Sequence, residues 1–196
     1  KPENKPYLCH KSLTFALCLA TAGQFLGGTI PIAFGGALRV DGLSALVLVL
    51  CGFVGLISGT YGVGYLRRNE ARGLVSVRMR REFYGLIPAY VFAMLLVSMS
   101  NNLGILWIAV ELTTLASVFL VTFHDRDTSL EAAWKFLMLG SLGLAFALLG
   151  TVLLFASGQG HLGEGVSALD WTRFMEVAPA LHPFTLRLGV VFALVG

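Results

Sequence analysis

A single acidic residue, Glu111, lies near the middle of a long apolar run, residues 103–123. A charged side chain at the centre of a membrane helix costs about 2.5–3.5 kcal/mol, so Glu111 must face protein or water rather than lipid. Removal from water disfavours the charged form of a carboxyl group, so Glu111 could take up and release protons near neutral pH. We therefore predict a proton-translocation residue. The structural alternative is a neutral Glu that hydrogen-bonds a neighbouring helix.

The turns around Glu111 offer polar groups at helical spacing. Trp107, Thr114 and Val118 share its predicted helix face. Three hydroxyl groups in this run could hold water molecules in a proton wire: Thr113, Thr114 and Ser117.

Lys135 lies near the start of the next apolar run, residues 132–156. As a proton-translocation residue, it would be a cation that modulates a proton path between helices. As a structural residue, it would pair with Glu131 four positions earlier and extend its ammonium toward water. Trp134 beside it is typical of the membrane interface. The sequence leaves both interpretations of Lys135 open.

The turn between these two runs has the sequence HDRDTSLE, residues 124–131. His124 and Asp125 are candidates for proton uptake from water, because both side chains can bind and release a proton. A solvated polar turn with no role in transport is the simpler alternative.

The composition places these residues in a membrane protein. Hydrophobic residues make up 56% of the chain and charged residues 13%, whereas soluble domains carry about 25% charged residues. A membrane-spanning helix needs about 20 apolar residues. We predict an all-α, polytopic transmembrane helix bundle in which residues 1–196 are part of one transmembrane domain. It has five full spans and the start of a sixth: about 12–34, 43–66, 84–100, 103–123, 132–156 and 184–196.

Local signals refine these runs. Asp41 is predicted to cap the helix of the second run, and Pro88 to fall in the first turns of the third. Residues 170–178 are predicted to form a short interfacial helix. The last run has 13 residues, which is too few to span, so we expect the chain to be a fragment of a longer protein.

Basic residues predict the orientation of the spans, because they concentrate in cytoplasmic loops. We expect the Arg-rich segment 67–82 to be a loop. We place it, the chain start and the turn 124–131 in the cytoplasm, and residues 101–102 and 157–183 outside. The cytoplasmic set is Lys1, Lys5, Lys11, Arg67, Arg68, Arg72, Arg78, Arg80, Arg81 and Arg126. The outer set is Arg39, Arg173 and Arg187.

Several function classes are disfavoured by the sequence. Cys18 and Cys51 lie inside apolar runs without metal-ligand spacing, so neither a disulfide framework nor a zinc site is expected. Basic residues and aromatics do not alternate in a stripe, which argues against a nucleic-acid partner. We expect this chain to hold no metal, flavin, quinone or other cofactor.

The hairpin NNLGILWIAVELTTLASVFLV…EAAWKFLMLGSLGLAFALLGTVLLF resembles the antiporter-like proton-translocating membrane subunits. These occur in respiratory complex I, in Mrp-type cation/proton antiporters and in membrane-bound hydrogenases. The segments GGALRVDGLSAL and GYLRRNEARG fit the same group. Within the family, the resemblance is closest to component F of hydrogenase-4 and of related formate hydrogenlyase-type complexes. It covers nearly the whole chain from about Gly35 onward.

The resemblance implies a protein of about fourteen helices, of which this N-terminal fragment holds roughly a third. Glu111 matches the fifth-helix Glu of the family, which pairs with a seventh-helix Lys beyond this chain. Lys135 matches a basic residue often found at the start of the sixth helix.

The implied function is proton translocation in a redox-driven complex of the hydrogenase-4/formate hydrogenlyase or NADH:quinone oxidoreductase type. The chain would be a multi-pass subunit of the cell (inner) membrane, without catalytic residues or a redox centre of its own. Its partners would be the lipid bilayer, other membrane subunits and a peripheral redox arm of an oxidoreductase complex. The alternatives are a Na⁺/H⁺ antiporter subunit of Mrp type and a non-conducting structural subunit. The sequence does not distinguish H⁺ from Na⁺ as the transported ion.

Overall fold

Long helices dominate the computed structural model, which describes residues 5–124, 127–158, 160–162 and 165–196. The prediction of an all-α helix bundle is confirmed. Within the described residues the α-helices are α1 Lys5–Leu26, α2 Gly42–Ala71, α3 Val77–Met99, α4 Leu103–Val121, α5 Asp127–Ser157, α6 Trp171–Val177 and α7 Pro183–Val195.

Four of these helices, α2 to α5, are long and apolar enough to cross a membrane. The helix α7 is apolar but shorter. The helix α6 lies where the sequence predicts a short helix, at residues 170–178.

The first helix ends earlier than the predicted span 12–34. It stops at Leu26, and Gly28 follows with a positive φ of 86°. Such a conformation is disfavoured for residues with a Cβ, and Pro31 cannot donate a helical hydrogen bond. The chain instead forms a short antiparallel ribbon, β1 Ile32–Ala33 and β2 Leu38–Arg39, with Ile32 opposite Arg39.

The helices α2 and α3 extend well beyond their apolar runs. Most of the Arg-rich segment 67–82 is helical, so its prediction as a loop is wrong, and only residues 72–76 connect the two helices. The Ser76 hydroxyl accepts a hydrogen bond of 3.2 Å from the Met79 N–H and caps α3. Because α3 begins at Val77, Pro88 lies in the helix interior, and its predicted place in the first turns is wrong.

The helix α2 begins where the sequence predicts. The Asp41 carboxylate accepts a hydrogen bond of 2.8 Å from the Ser44 N–H, which confirms the predicted cap. This hydrogen bond holds the pKa of Asp41 below its ordinary value, because it stabilises the charged carboxylate.

The helices α1 to α4 each pack against the next helix in sequence. One end of the bundle is closed by a cluster of Leu66, Val75 and Phe123. The other end is closed by a cluster that includes Ala22, Val40, Ala45 and Leu48. The two ends therefore collect the loops that the charge distribution assigns to opposite sides of the membrane.

The helix α7 lies directly against α5. A Cβ added at Gly150 of α5 would collide with the backbone nitrogen of Ala193, and one added at Gly189 would lie 2.9 Å from the Leu154 nitrogen. Small residues let membrane helices approach at backbone distance, so these glycines set the α5–α7 spacing.

Candidate functional site

Glu111 lies in the middle of α4 and is half-buried. Ala109 and Ala116 are buried on the far side of the same helix, at 0% and 5% exposure. Ile108 and Leu115, close to Glu111 around the helix, are exposed. The carboxyl group thus lies at the edge of a packed interface, beside an uncovered apolar face of α4.

Two contacts fix the rotation of α4 against α5. The Trp107 Nε1 donates a hydrogen bond of 3.0 Å to the Leu144 carbonyl. One helical turn beyond Glu111, Thr114 lies against Gly140, where an added Cβ would be 3.2 Å from the Thr114 Cγ2. Glu111 lies between these contacts on the same helical stripe, so its side chain lies beside α5.

The Glu111 carboxyl group has no polar partner in the part of the chain that the structure describes. Among the side chains that the structure describes, none makes a hydrogen bond or an ion pair with Glu111. A half-buried carboxyl group without such a partner must bind water or a proton to satisfy its oxygens. The structural alternative requires a hydrogen bond from Glu111 to a neighbouring helix, and the described residues do not form one.

The three predicted hydroxyl groups lie on α4 close to Glu111 in sequence, and of these Thr114 shares its helix face, whereas Thr113 lies on the far side with Ala109 and Ala116. Thr113 and Thr114 each donate a hydrogen bond to the Val110 carbonyl, at 2.6 Å and 3.2 Å, and Ser117 donates to the Thr113 carbonyl at 2.8 Å. Each hydroxyl oxygen keeps lone pairs that can accept a hydrogen bond from water. The Thr114 hydroxyl can therefore support ordered water on the Glu111 face of α4.

Lys135 is not brought close to Glu111. It forms the predicted ion pair with Glu131 at 2.5 Å, and both side chains are about two-thirds exposed. Five residues separate it from Gly140, which turns it roughly 140° away from the α4 contact. The α4–α5 contacts place Glu111 near the level of residue 142, about 10 Å along the axis from Lys135. Any action of Lys135 would be directed toward a helix on the other side of α5.

The predicted uptake residues His124 and Asp125 follow α4 in the sequence. His124 ends the short helical turn Thr122–His124, and nothing is described of its side chain. Asp125 lies outside the described residues. Their proposed role stays a prediction.

A buried polar clamp joins loops at the opposite end of the bundle, and the sequence reasoning missed it. Asn102, 1% exposed, caps α4 by accepting hydrogen bonds from the Gly104 and Ile105 N–H groups. Its amide also donates a 2.7 Å hydrogen bond to the Asp170 carboxylate, which is 6% exposed. The clamp therefore ties the start of α4, the helix that carries Glu111, to the loop before α6.

The neighbouring Asn101 completes this clamp. Its amide donates to the Gly36 carbonyl at 2.9 Å and to the Thr172 hydroxyl at 3.1 Å. Its backbone joins the Ala37 carbonyl and the Trp171 N–H. The pair Asn101–Asn102 before an apolar run is a helix-cap signal, but its partners are distant in sequence and could not be found from spacing.

Lys11, assigned above to a polar and cytoplasmic segment, is 2% exposed. Its aliphatic stem packs over Gly59 of α2, and its Nζ lies 5.7 Å from the centre of the Tyr7 ring. Burial lowers the pKa of Lys11 to about 8 and raises that of Tyr7 to about 12. The glycine provides the room that lets a lysine pack between two helices.

The fold and the membrane-length helices define a class: the chain is a multi-pass α-helical membrane protein. A family described as "NADH:quinone oxidoreductase/Mrp antiporter, TM" matches residues 100–193, which include Glu111, Lys135 and the polar clamp. The chain belongs to this antiporter-like membrane-subunit family, as the resemblance of the hairpin predicted.

Individual relatives agree with this assignment. A hydrogenase-4 component F homolog from Methylacidiphilum infernorum is 33% identical over 157 residues, covering 80% of this chain and 33% of the relative. NADH-quinone oxidoreductase subunit N from Herminiimonas arsenicoxydans is 29% identical over 196 residues, covering 94% of this chain and 37% of the relative. The chain thus spans about a third of the length of these curated relatives.

Solved structures show the same fold. A chain of respiratory complex I from Thermus thermophilus superposes with a TM-score of 0.71 at 27% identity, covering 98% of this chain and 37% of the other. A chain of the membrane-bound sulfane sulfur reductase, an archaeal respiratory membrane complex, gives a TM-score of 0.81 at 15% identity, covering 100% of this chain and 38% of the other. The second likeness concerns the fold alone.

Proposed function

We propose that this chain is part of a proton-translocating subunit of a redox-driven complex in the cell (inner) membrane, and that Glu111 is a residue through which protons pass. The observation that supports this most directly is the half-buried Glu111 in the middle of a membrane-length helix, without a hydrogen bond or ion pair among the described residues. Placing a carboxyl group in the membrane costs free energy, and a role in which a proton binds and leaves explains why Glu111 is present there.

The chemistry assigned to Glu111 is simple proton exchange. A proton arriving through water converts the carboxylate to the neutral acid, and its departure restores the charge. A cation on a helix outside this chain, such as the seventh-helix Lys that the family resemblance implies, would favour the charged state when close and the neutral state when distant. A redox step elsewhere in the complex would drive that change. Partners would include further membrane subunits and a peripheral redox arm.

The test is Glu111→Gln in the full-length protein within its complex. Glutamine keeps the size and hydrogen-bonding groups of the side chain but cannot exchange a proton. We expect redox-driven proton uptake in membrane vesicles to fall to background, while the amount of assembled complex stays unchanged. Glu176→Gln, an exposed carboxyl on α6, is the matched control and should pump normally.

The alternatives predict different results. An Mrp-type Na⁺/H⁺ antiporter subunit would exchange Na⁺ for H⁺ across vesicles without any redox substrate, and Glu111→Gln would stop that exchange. A structural subunit would tolerate even Glu111→Leu. Normal pumping by an assembled Glu111→Gln variant contradicts the proposed role.

A further inference from the structure

The end of α2, the start of α3 and the connection between them form a basic hairpin, residues 67–82, whose charge is only partly neutralised. It contains six arginines and two glutamates, which gives a net charge of +4. Both glutamates are paired, Glu82 with Arg78 at 2.9 Å and Glu70 with Arg80 at 3.1 Å. The other four arginines are exposed, and their side chains have no ion pair or hydrogen bond among the described residues: Arg67, Arg68, Arg72 and Arg81. The hairpin therefore presents a surplus of positive charge to its surroundings.

The basic hairpin is packed firmly against the rest of the bundle. The Glu70–Arg80 ion pair crosses from the last turn of α2 to the first turn of α3. Next to it, Leu66 and Val75 are buried and form a cluster with Phe123, which follows α4. The unpaired arginines thus extend from a fixed base, and a fixed base lowers the entropy cost of binding an anion.

The length of α2 places the basic hairpin at the depth of the lipid headgroups. The apolar run of α2 ends at Leu66, and the helix continues only to Ala71, about 7.5 Å farther along its axis. The headgroup layer on each side of the hydrocarbon is about 5–7.5 Å thick. The connection 72–76 therefore lies at the height of the lipid phosphates, below the water in which a soluble subunit would lie.

Two exposed apolar side chains accompany the arginines. Leu74 is 61% exposed and Val77 is 53% exposed, and both lie at the tip of the hairpin. Apolar side chains combined with basic residues are typical of segments that bind the membrane interface. There the apolar groups enter the boundary of the acyl chains, and the cations attract anionic headgroups. Charge, depth and exposed apolar groups all match a lipid surface.

We propose that the basic hairpin binds phospholipids with a net negative headgroup in the cytoplasmic leaflet. Arg68 and Arg72 are one helical turn apart, so their guanidinium groups can donate hydrogen bonds to oxygens of the same lipid phosphate. Leu74 contacts the acyl chains of the bound lipid. This inference does not depend on proton translocation by Glu111.

The test is the affinity of the purified full-length protein for phosphatidylglycerol, titrated in detergent and measured by native mass spectrometry. Arg68→Gln/Arg72→Gln should weaken binding of the first phosphatidylglycerol at least about fivefold, the effect of one arginine near an anionic membrane surface. Arg67→Gln/Arg81→Gln removes the same charge from other positions and should act in the same direction. The matched control is Arg78→Gln/Glu82→Gln, which removes an ion pair without changing the net charge and should bind normally.

Three results would overturn the proposal. The first is unchanged phosphatidylglycerol affinity in both arginine variants. The second is displacement of the lipid by inorganic phosphate as effectively as by short-chain phosphatidylglycerol, which would indicate a site for free anions. The third is a variant that keeps its lipid affinity but loses a peripheral subunit from the isolated complex, which would indicate a protein interface.

Leu74→Ser tests the apolar contact separately. It should weaken phosphatidylglycerol and the uncharged-headgroup control lipid phosphatidylcholine by the same factor, because it removes a contact with acyl chains and no charge. A loss confined to phosphatidylglycerol would contradict the assigned contact.

Discussion

Replacing Asn102 by Ala should destabilise the protein more than any ordinary loss of a helix cap. Asn102 caps α4 and also donates to the nearly buried Asp170 carboxylate. A lost cap costs about 1 kcal/mol, and a lost hydrogen bond to a charged group costs about 1.5–3 kcal/mol. Because water reaches Asp170 poorly, the two terms add to about 2.5–4 kcal/mol.

The matched control is Asp41→Ala, which removes only a cap. Asp41 is exposed and caps the start of α2, so its loss should cost about 1 kcal/mol. Asn102→Ser should fall between the two, because serine keeps the cap but cannot reach the carboxylate.

The measurement is the free energy of unfolding of the purified full-length protein, obtained by titration with SDS in mixed micelles. All three variants are compared with the unmodified protein at the same pH. Unfolding free energies of Asn102→Ala and Asp41→Ala within about 0.5 kcal/mol of each other would contradict this prediction, since the buried bond to Asp170 would then contribute nothing beyond the cap.

Two further substitutions test packing and burial by the same titration. Gly150→Ala should destabilise the protein by about 1–3 kcal/mol, because the new Cβ would collide with the α7 backbone. The control Gly64→Ala, where nothing lies within 4 Å of the added Cβ, should be neutral or stabilising. Equal effects of the two substitutions would contradict the close α5–α7 contact. Lys11→Met should stabilise at pH 7. Between pH 8 and 10.5 the unfolded chain binds the proton that folded Lys11 has lost, so the unfolding free energy of the unmodified protein should rise relative to that of the variant; parallel profiles of the two proteins would contradict the lowered pKa of Lys11.

The sequence predicts most of the fold, because membrane-spanning helices consist of long runs of apolar residues. Four runs correspond to membrane-length helices, and the Asp41 cap and the Glu131–Lys135 pair were predicted from local spacing. The helix ends were predicted less well. Polar residues at the membrane surface continue a helix as readily as they end it, so the Arg-rich segment became helix and Pro88 became interior.

The sequence alone places Glu111 in the middle of a span, because each residue of a helix advances a fixed distance along the helix axis. Its rotation toward α5 was decided by tertiary contacts at Trp107 and Thr114. The same contacts turn Lys135 away, although both residues had been predicted from charge in an apolar run.

The pairings between distant segments depend on the folded structure. Asn102 and Asp170 are 68 residues apart, and Lys11 is buried because Gly59 of another helix leaves room for its stem. The apolar pattern of the sequence indicates that a helix forms and which of its residues are hydrophobic. It does not indicate which neighbouring helix covers each face. That choice depends on loop lengths and on side-chain shapes matched between helices, which appear only when the chain is folded.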